Sequence, residues 1–271
     1  MISAFILTCN EENILPQCLA ALDFVSEVLV FDSYSTDQTV NIAARMGARV
    51  VQRKFDNYAS QRNEALKAVS PGADWILMVD ADEIVSPELK SEILKTISVP
   101  DNQATMYLVR RKDMFQGKWI RYSSGYPTWF GRLFKNGKVW VEREINEEYH
   151  TSGKVGYLQQ HLIHYPFNKG LSFWFEKHNR YSSMESTIMA GEMKDKPIIK
   201  QLFSSDPVIR RKAQKRFTLG LPFRPLIVFF AFYILRGGFL DGKRGYTFCK
   251  LRKTYEWMIQ LKRKELLDKG W

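Results

Sequence analysis

Trp75-Ile-Leu-Met-Val-Asp80-Ala-Asp82-Glu83 is the stretch from which the fold can be read. An unbroken apolar run, with no polar alternation, is a strand buried on both faces, and this one stops at a pair of carboxylates. The pattern recurs toward the N-terminus. Ile2–Leu7 is a short apolar run, Val28–Phe31 a second that stops at Asp32-Ser33, and Ala48–Val51 a third. Helical periodicity fills the intervals over 11–22, 36–46, 58–69 and 87–97, with Gly47 and Pro71-Gly72 as stops. Alternating strands and helices of this kind give an α/β fold with a mostly parallel sheet covered by helices on both faces. Ligands of such sheets bind at the carboxyl ends of the strands, where the polar residues following each run stand.

Working outward from that core, the character of the sequence changes twice. Residues 1–100 read as the ligand-binding half of one domain. Residues 101–190 read as its other half, mixed or antiparallel, with strands at 105–111, 139–141 and 155–158 and a helix over 171–190. Residues 191–271 read as a basic helical extension that ends in a helix over 246–268. The chain has 271 residues, 45% hydrophobic and 25% charged, which excludes a disordered, collagen-like or coiled-coil protein. Cys9, Cys18 and Cys249 form neither a CxxC nor an even set, so a disulfide scaffold or zinc ribbon is not expected. The opening residues lack the basic start and long apolar run of a signal peptide. No stretch has the length of an ordinary transmembrane helix.

The residues at the strand ends carry the chemistry. Asp80 and Asp82 are hard oxygen donors suited to Mg²⁺ or Mn²⁺ beside a diphosphate; taken alone, they also suit an acidic strand-to-loop turn. Asp32 can accept hydrogen bonds from a base or ribose, or can cap the helix that follows, a part open to Thr36 and Asp37 as well. Thr8, Asn10 and Glu11 end the first strand in the same way. Arg62 on the third helix can reach a base or phosphate, or stand as a solvated helix arginine. His164, in Leu162-Ile-His164-Tyr, can add a metal ligand or contact the diphosphate, or be a satisfied loop histidine. Trp129 and Arg132 can stack on and hydrogen-bond a sugar, although core packing is the other reading of Trp129. Glu142, Glu144, Glu147 and Glu148 offer a general base, and neighbouring strand residues face opposite sides.

Together these pieces resemble the family 2 glycosyltransferases of the GT-A fold. The stretches that carry the likeness are Phe5-Ile-Leu-Thr-Cys-Asn-Glu-Glu-Asn, Val30-Phe-Asp-Ser-Tyr-Ser-Thr-Asp-Gln-Thr, Ser60-Gln-Arg-Asn-Glu-Ala-Leu and Met78-Val-Asp-Ala-Asp-Glu. The likeness is greatest to the subgroup of bacterial lipopolysaccharide-core glucosyltransferases. It extends there to Ile145-Asn-Glu147-Glu-Tyr, Gly153-Lys-Val-Gly-Tyr-Leu158, Ile163-His164-Tyr and Tyr233-Ile-Leu-Arg-Gly-Gly-Phe-Leu-Asp-Gly242. The resemblance implies inverting transfer from a nucleotide sugar, usually a UDP-sugar. Thr8, Asn10, Glu11, Asp32, Arg62 and Asp80 would hold the nucleotide, Asp80 and Asp82 the metal, and Glu147 would be the catalytic base. Asn146 stands where the subgroup usually has histidine, and Tyr34 where it has a small residue.

The charge is uneven. Residues 1–190 carry 21 Lys+Arg and 22 Asp+Glu, whereas residues 191–271 carry 19 and 7. Basic clusters bracket the apolar run Leu219–Leu235, a pattern suited to an anionic membrane surface. The other reading is a helix packed on the catalytic domain or at a homo-oligomer interface. A peripheral enzyme on the cytoplasmic face of a bacterial inner membrane is therefore expected, with a lipid-linked or lipopolysaccharide glycan as acceptor. Two rivals are weaker. A nucleotidyltransferase would show a Gly-rich triphosphate loop after the first strand. A nucleic-acid-binding protein would show a binding signature and excess positive charge in its first two thirds.

Overall fold

The computed structural model describes residues 1–100, 102–142, 148–191, 199–204, 210, 213, 221 and 223–268. The chain divides into two compact units, Met1–Trp119 with Tyr126–Asn168, and Ile120–Gly125 with Lys169–Trp271. The helix expected over 171–190 thus belongs with the C-terminal segment, so the second unit begins some twenty residues before the basic extension marked out by charge.

In the first unit, β1 (Ile2–Thr8), β2 (Glu27–Asp32), β3 (Arg49–Gln52) and β4 (Trp75–Asp80) pair in parallel in the order β3-β2-β1-β4. Between them run α1 (Leu15–Ala20), α2 (Thr39–Arg45) and α3 (Tyr58–Ala68). Alternate side chains of the strands divide between two cores. Ala4, Ile6, Val30, Leu77 and Val79 pack with Leu15, Cys18 and the helix that follows β4. Phe5, Leu29, Phe31, Ile76 and Met78 pack on the other face with Ala65 of α3 and Val69 just after it. Continuous apolar strands are therefore the consequence of cover on both sides.

The sheet continues past β4 with reversed and mixed pairing. After β5 (Glu83–Val85) and α4 (Pro87–Ile97) come β6 (Ala104–Phe115), β7 (Lys118–Trp119), β8 (Trp129–Lys135), β9 (Val139–Glu142), β10 (Glu148–Thr151) and β11 (Lys154–His164). The path runs β4-β8-β6-β11-β5, with β7 folded back on β6 and with β9 and β10 as a separate pair. On β11, Leu158 pairs with Val109 but His161 pairs with Arg110, so two extra residues bulge from the strand. The N–H groups of Gln159 and Gln160 donate to the two carboxylate oxygens of Glu92 on α4, at 2.7 and 2.8 Å.

The first helix is shorter than its apolar spacing predicts. Asn10 takes a positive φ of 57°. The N–H groups of Asn10, Glu11 and Glu12 then donate to Ser35 Oγ, Thr39 Oγ1 and Asp37 Oδ2 in the loop and helix after β2. Pro16, near the helix start, fits only there.

The second unit is helical. Its described helices are α5 (Gly170–Gly191), α6 (Arg224–Phe230) and α7 (Gly242–Leu267), and α6 runs on into a π-helical turn, Ala231–Leu235. His178 of α5 stacks on Trp174 at 3.7 Å and meets Tyr255 of α7 edge-on at 4.9 Å. Lys262 of α7 donates to Asn179, Ser182 and Ser183 of α5. The Gly-Gly-Phe-Leu-Asp-Gly run forms a 3₁₀ turn, Gly238–Asp241, pressed against α7. A Cβ on Gly245 would lie 2.1 Å from the Gly238 carbonyl oxygen, so only glycine fits there. Asp241 accepts the N–H groups of Arg121, Tyr122 and Ser123 and the Ser123 hydroxyl.

Candidate active site

The parallel register brings the predicted residues to one edge. Thr8 pairs with Asp32 across β1 and β2, and Leu7 pairs with Asp80 across β1 and β4, so three strand ends stand side by side. Asp32 is fully buried. Its carboxylate accepts from Thr8 Oγ1 at 2.8 Å, Ser35 N at 2.8 Å and Gln52 Nε2 at 3.0 Å, and from the Ser35 hydroxyl. Asp32 thereby orders the loop that follows β2. Asn10 Oδ1 accepts the Thr36 N–H at 2.7 Å, and Glu11 Oε2 accepts from Asn168 Nδ2 at 3.1 Å. Tyr34 takes a positive φ of 57° and is exposed.

Asp80 is held between two guanidinium groups. Arg62 Nη2 donates to its Oδ1 at 3.1 Å and Arg132 Nη2 to its Oδ2 at 2.8 Å. Burial alone would raise the Asp80 carboxyl, but Arg132 and Arg62 outweigh it and hold it below the usual range. Arg62 Nε also donates to the Tyr149 hydroxyl at 2.8 Å. The Tyr149 ring lies on Gly131, where a Cβ would stand 3.0 Å from it.

Arg132, expected at a sugar acceptor, is 2% exposed. It forms a fork on Glu83, with Nε to Oε2 at 2.9 Å and Nη2 to Oε1 at 2.8 Å, in addition to Asp80. Burial would lower its guanidinium, and Glu83 and Asp80 together raise it well above its ordinary value. Its donors serve the acidic turn. Trp129, three residues earlier, lies under Arg110 at 5.3 Å and edge-on to Tyr157 at 5.1 Å. Arg132 is an extra residue in β8, where Leu133 pairs with Tyr107 but Gly131 pairs with Leu108, and the partners given for Trp129 and Arg132 differ.

Asp82 and His164 meet through strand register. β5 pairs antiparallel with β11, Glu83 opposite His164, and Tyr165 N donates to the Asp82 carbonyl at 2.8 Å. His164 Nε2 then faces Asp82 Oδ2 at 3.4 Å. On the other side β11 pairs with β6, His164 opposite Asp113, and His164 Nδ1 bonds Asp113 Oδ1 at 2.6 Å. Arg111 reaches both Asp113, at 3.2 Å, and Glu83, at 3.4 Å. Burial and Arg111 oppose the His164 proton, but Asp82 and Asp113 outweigh them and raise its pKa. Burial would likewise raise Asp113, and the hydrogen bond from His164 and the charge of Arg111 hold it low.

These contacts bear on a metal. Among the described residues no group of three or more His, Cys, Asp or Glu is gathered for a cation. Asp80 gives its oxygens to Arg62 and Arg132. Asp82 and His164 remain as a carboxylate and an imidazole facing each other. The carboxylate of Asp113 fixes the far ring nitrogen, the arrangement that supports histidine ligands. Two protein ligands fit a hard divalent ion that takes the rest of its shell from water and phosphate oxygens. Glu147 lies outside the described residues.

Asp113, Glu83 and Tyr149 were not singled out in the sequence. Glu83 sits inside the acidic motif and could have been noticed as a third carboxylate. Asp113 and Tyr149 gave no local signal, because pairing between strands distant in sequence brings them in.

Comparison with known proteins agrees with this architecture. The family model for glycosyl transferase family 2 matches residues 3–172. A lipopolysaccharide core biosynthesis glycosyltransferase, LpsC of Rhizobium meliloti, is 25% identical over 273 residues, covering 94% of this chain and 92% of that one. An uncharacterized glycosyltransferase of Rickettsia felis is 43% identical over 93 residues, 34% of this chain and 32% of that one. A TPR repeat-containing protein of Synechococcus elongatus is 33% identical over 137 residues, 50% of this chain and 32% of that one. The chain therefore spans about a third of the length of these last two relatives. Among solved structures, glucosyl-3-phosphoglycerate synthase from Mycobacterium tuberculosis, in complex with Mn²⁺, uridine diphosphate and glucosyl-3-phosphoglycerate, aligns at a TM-score of 0.35. It is 23% identical, over 42% of this chain and 44% of that one. With the match to the family model covering most of the chain, this protein belongs to glycosyl transferase family 2.

Proposed function

We propose that the chain moves a sugar from a nucleotide diphosphate sugar, a UDP-sugar, to a hydroxyl of a lipid-linked or lipopolysaccharide-core glycan. The transfer inverts the anomeric carbon, is assisted by Mg²⁺ or Mn²⁺, and takes place at the cytoplasmic face of a bacterial inner membrane. The observation that carries this reading is the pairing of Asp82 with His164 beside Asp80. The glycan class is supported by the likeness to LpsC along 94% of the chain.

In this reading Thr8, Asn10, Glu11 and Asp32 frame the nucleoside, and Arg62 stands next to the diphosphate. Arg62 and Arg132 keep Asp80 ionised and aimed, and Arg132 is a positioning residue. Asp82 and His164 would hold the cation, whose charge, when bound, offsets the charge growing on the departing nucleotide. Glu147 takes the proton of the attacking hydroxyl. That oxygen bonds to the anomeric carbon as the bond to the diphosphate oxygen breaks. Glu147 is supported by the family resemblance. Trp129 remains the candidate for stacking on the acceptor sugar.

The test is a panel of nucleotide sugars screened for thermal stabilisation with Mn²⁺, followed by transfer assays. A UDP-sugar is expected to raise the melting temperature by mass action, and only with the metal. Asp82→Ala should lose both the shift and transfer; a full shift in that variant rejects the metal assignment. Glu147→Gln should keep the shift while transfer falls about 10²–10⁴-fold. An active Glu147→Gln enzyme moves the base elsewhere, to Glu148 first.

A further inference from the structure

We propose that the bent segment joining α6 to α7 is a membrane-docking surface that lies in the headgroup region of an anionic leaflet. This rests on the membrane location proposed above and names the surface that would hold the chain there; it does not depend on the transfer chemistry, which the donor and transfer assays test separately.

The segment has two faces. Phe229 and Tyr233 stack on each other at 5.4 Å and meet Tyr246 of α7, while Phe232 lies under Arg252 at 3.8 Å. Those rings form the packed side. The other side, at helical spacing, presents Ile227, Phe230 and Ile234 to solvent. The chain then turns at Arg236-Gly237, Gly237 having a φ of 74°. Leu235 and Leu240 stand on either side of that turn, 84% and 60% exposed. The stretches Arg224–Leu235 and Gly238–Leu267 meet at 73°, so the two leucines mark the outside of a corner. Contiguous exposed apolar surface of this kind marks a binding face.

Charge identifies the occupant. From residue 207 to residue 240 the sequence has seven Lys+Arg and no Asp or Glu, although Arg211, Lys212, Lys215 and Arg216 lie outside the described residues. Arg224 is withdrawn from this count, since it is buried against Glu256 at 2.7 Å. Arg236 and Lys243 are exposed next to the apolar corner. A second copy of the chain would bring the same cations face to face across a two-fold interface. An anionic leaflet accepts both features at once, with side chains below the headgroups and cations among the phosphates. Arg224–Leu235 is about 18 Å long at helical rise, against about 30 Å of bilayer core. Among the described residues no single helix is long and apolar enough to cross a membrane. Together with Gly238–Leu267, Arg224–Leu235 has the length and composition of a bent span, but that second arm carries Lys243, Arg244, Lys250, Arg252 and Lys253, which favour the headgroup region over the hydrocarbon core.

The experiment uses the full chain with vesicles of phosphatidylcholine containing 30 mol% phosphatidylglycerol, and with phosphatidylcholine alone, in co-sedimentation at low and high salt. The protein is expected to bind the anionic vesicles, to bind neutral ones at least tenfold more weakly, and to be released by salt. The double variant Leu235→Ser/Leu240→Ser changes solvent-facing positions and should melt at the wild-type temperature with a partition coefficient at least tenfold lower. Lys243→Glu/Arg244→Glu should lower binding to anionic vesicles only. The proposal is overturned if the wild type ignores anionic vesicles, or if the double leucine variant binds as well as the wild type. It is overturned equally if sedimentation velocity shows a concentration-dependent dimer that the leucine variant abolishes while vesicle binding is absent; the occupant would then be a second copy.

Discussion

Asp80 shows how much of this site is set by charges that the sequence does not place side by side. One carboxylate takes a donor from Arg62 on a helix and another from Arg132 on a strand 52 residues away. Removing Arg132 would leave Glu83 buried with its principal partner gone. Arg132→Met is expected to destabilise the fold by about 3–5 kcal/mol, read from denaturant midpoints. Asp113 makes a different prediction. It holds the ring nitrogen of His164 that faces away from Asp82, so Asp113→Ala should weaken Mn²⁺ binding about 10–100-fold with little change in melting temperature. A titration of the metal alone measures this, and Asp113→Glu should recover part of the loss. If Asp113→Ala binds Mn²⁺ as the wild type does, His164 is oriented by something else.

Elements with a strong local pattern were legible. The helix Pro87–Ile97 has the bounds that the sequence predicts, because Ser86 caps it, accepting from Leu89 N, and Pro87 stands at its start. The four parallel strands were readable because cover on both faces makes them uniformly apolar. β8 was not. Its Trp-Phe-Gly-Arg-Leu-Phe-Lys sequence buries an arginine, which is tolerable only because Glu83 and Asp80 wait for it from another segment. The far end of β11 was obscured by the bulge that interrupts its alternation. Asp80, Asp82 and His164 drew notice by standing next to apolar runs and Arg62 by its place on the third helix, whereas Asp113 needed the β6–β11 register. The Gly-Gly-Phe-Leu-Asp-Gly run was legible as a likeness only; its structural part is to let a 3₁₀ turn press against α7. Gly245→Ala is expected to cost about 1–3 kcal/mol by overpacking, visible as a lower melting temperature. Unchanged stability would mean that the turn can retreat.

Across the whole molecule, acid should weaken the fold through histidines kept neutral. His178, buried against Trp174 and Tyr255, has its pKa pushed down to about 4 by burial. His161 falls to about 4 through burial, helped by Lys112 and Arg110. Between the unfolded value of about 6.5 and about 4, the unfolded chain binds more protons, so stability present above that window is lost as pH falls through it. His178→Gln should flatten the decline, by on the order of 1 kcal/mol at pH 5. An unchanged pH–melting curve would show that His178 takes up its proton without strain.

The two residues that Glu92 gathers from β11 loop out of the ladder, and pairing resumes at His161 opposite Arg110. A bulge takes up extra residues without turning the strand beyond it, so His164 keeps the side where Asp82 and Asp113 stand. Deleting Gln159, alone or with Gln160, should therefore spare Mn²⁺ binding, and loss of binding in either variant would show that the bulge itself aims His164. Small changes of length are absorbed at this spot before they reach the site.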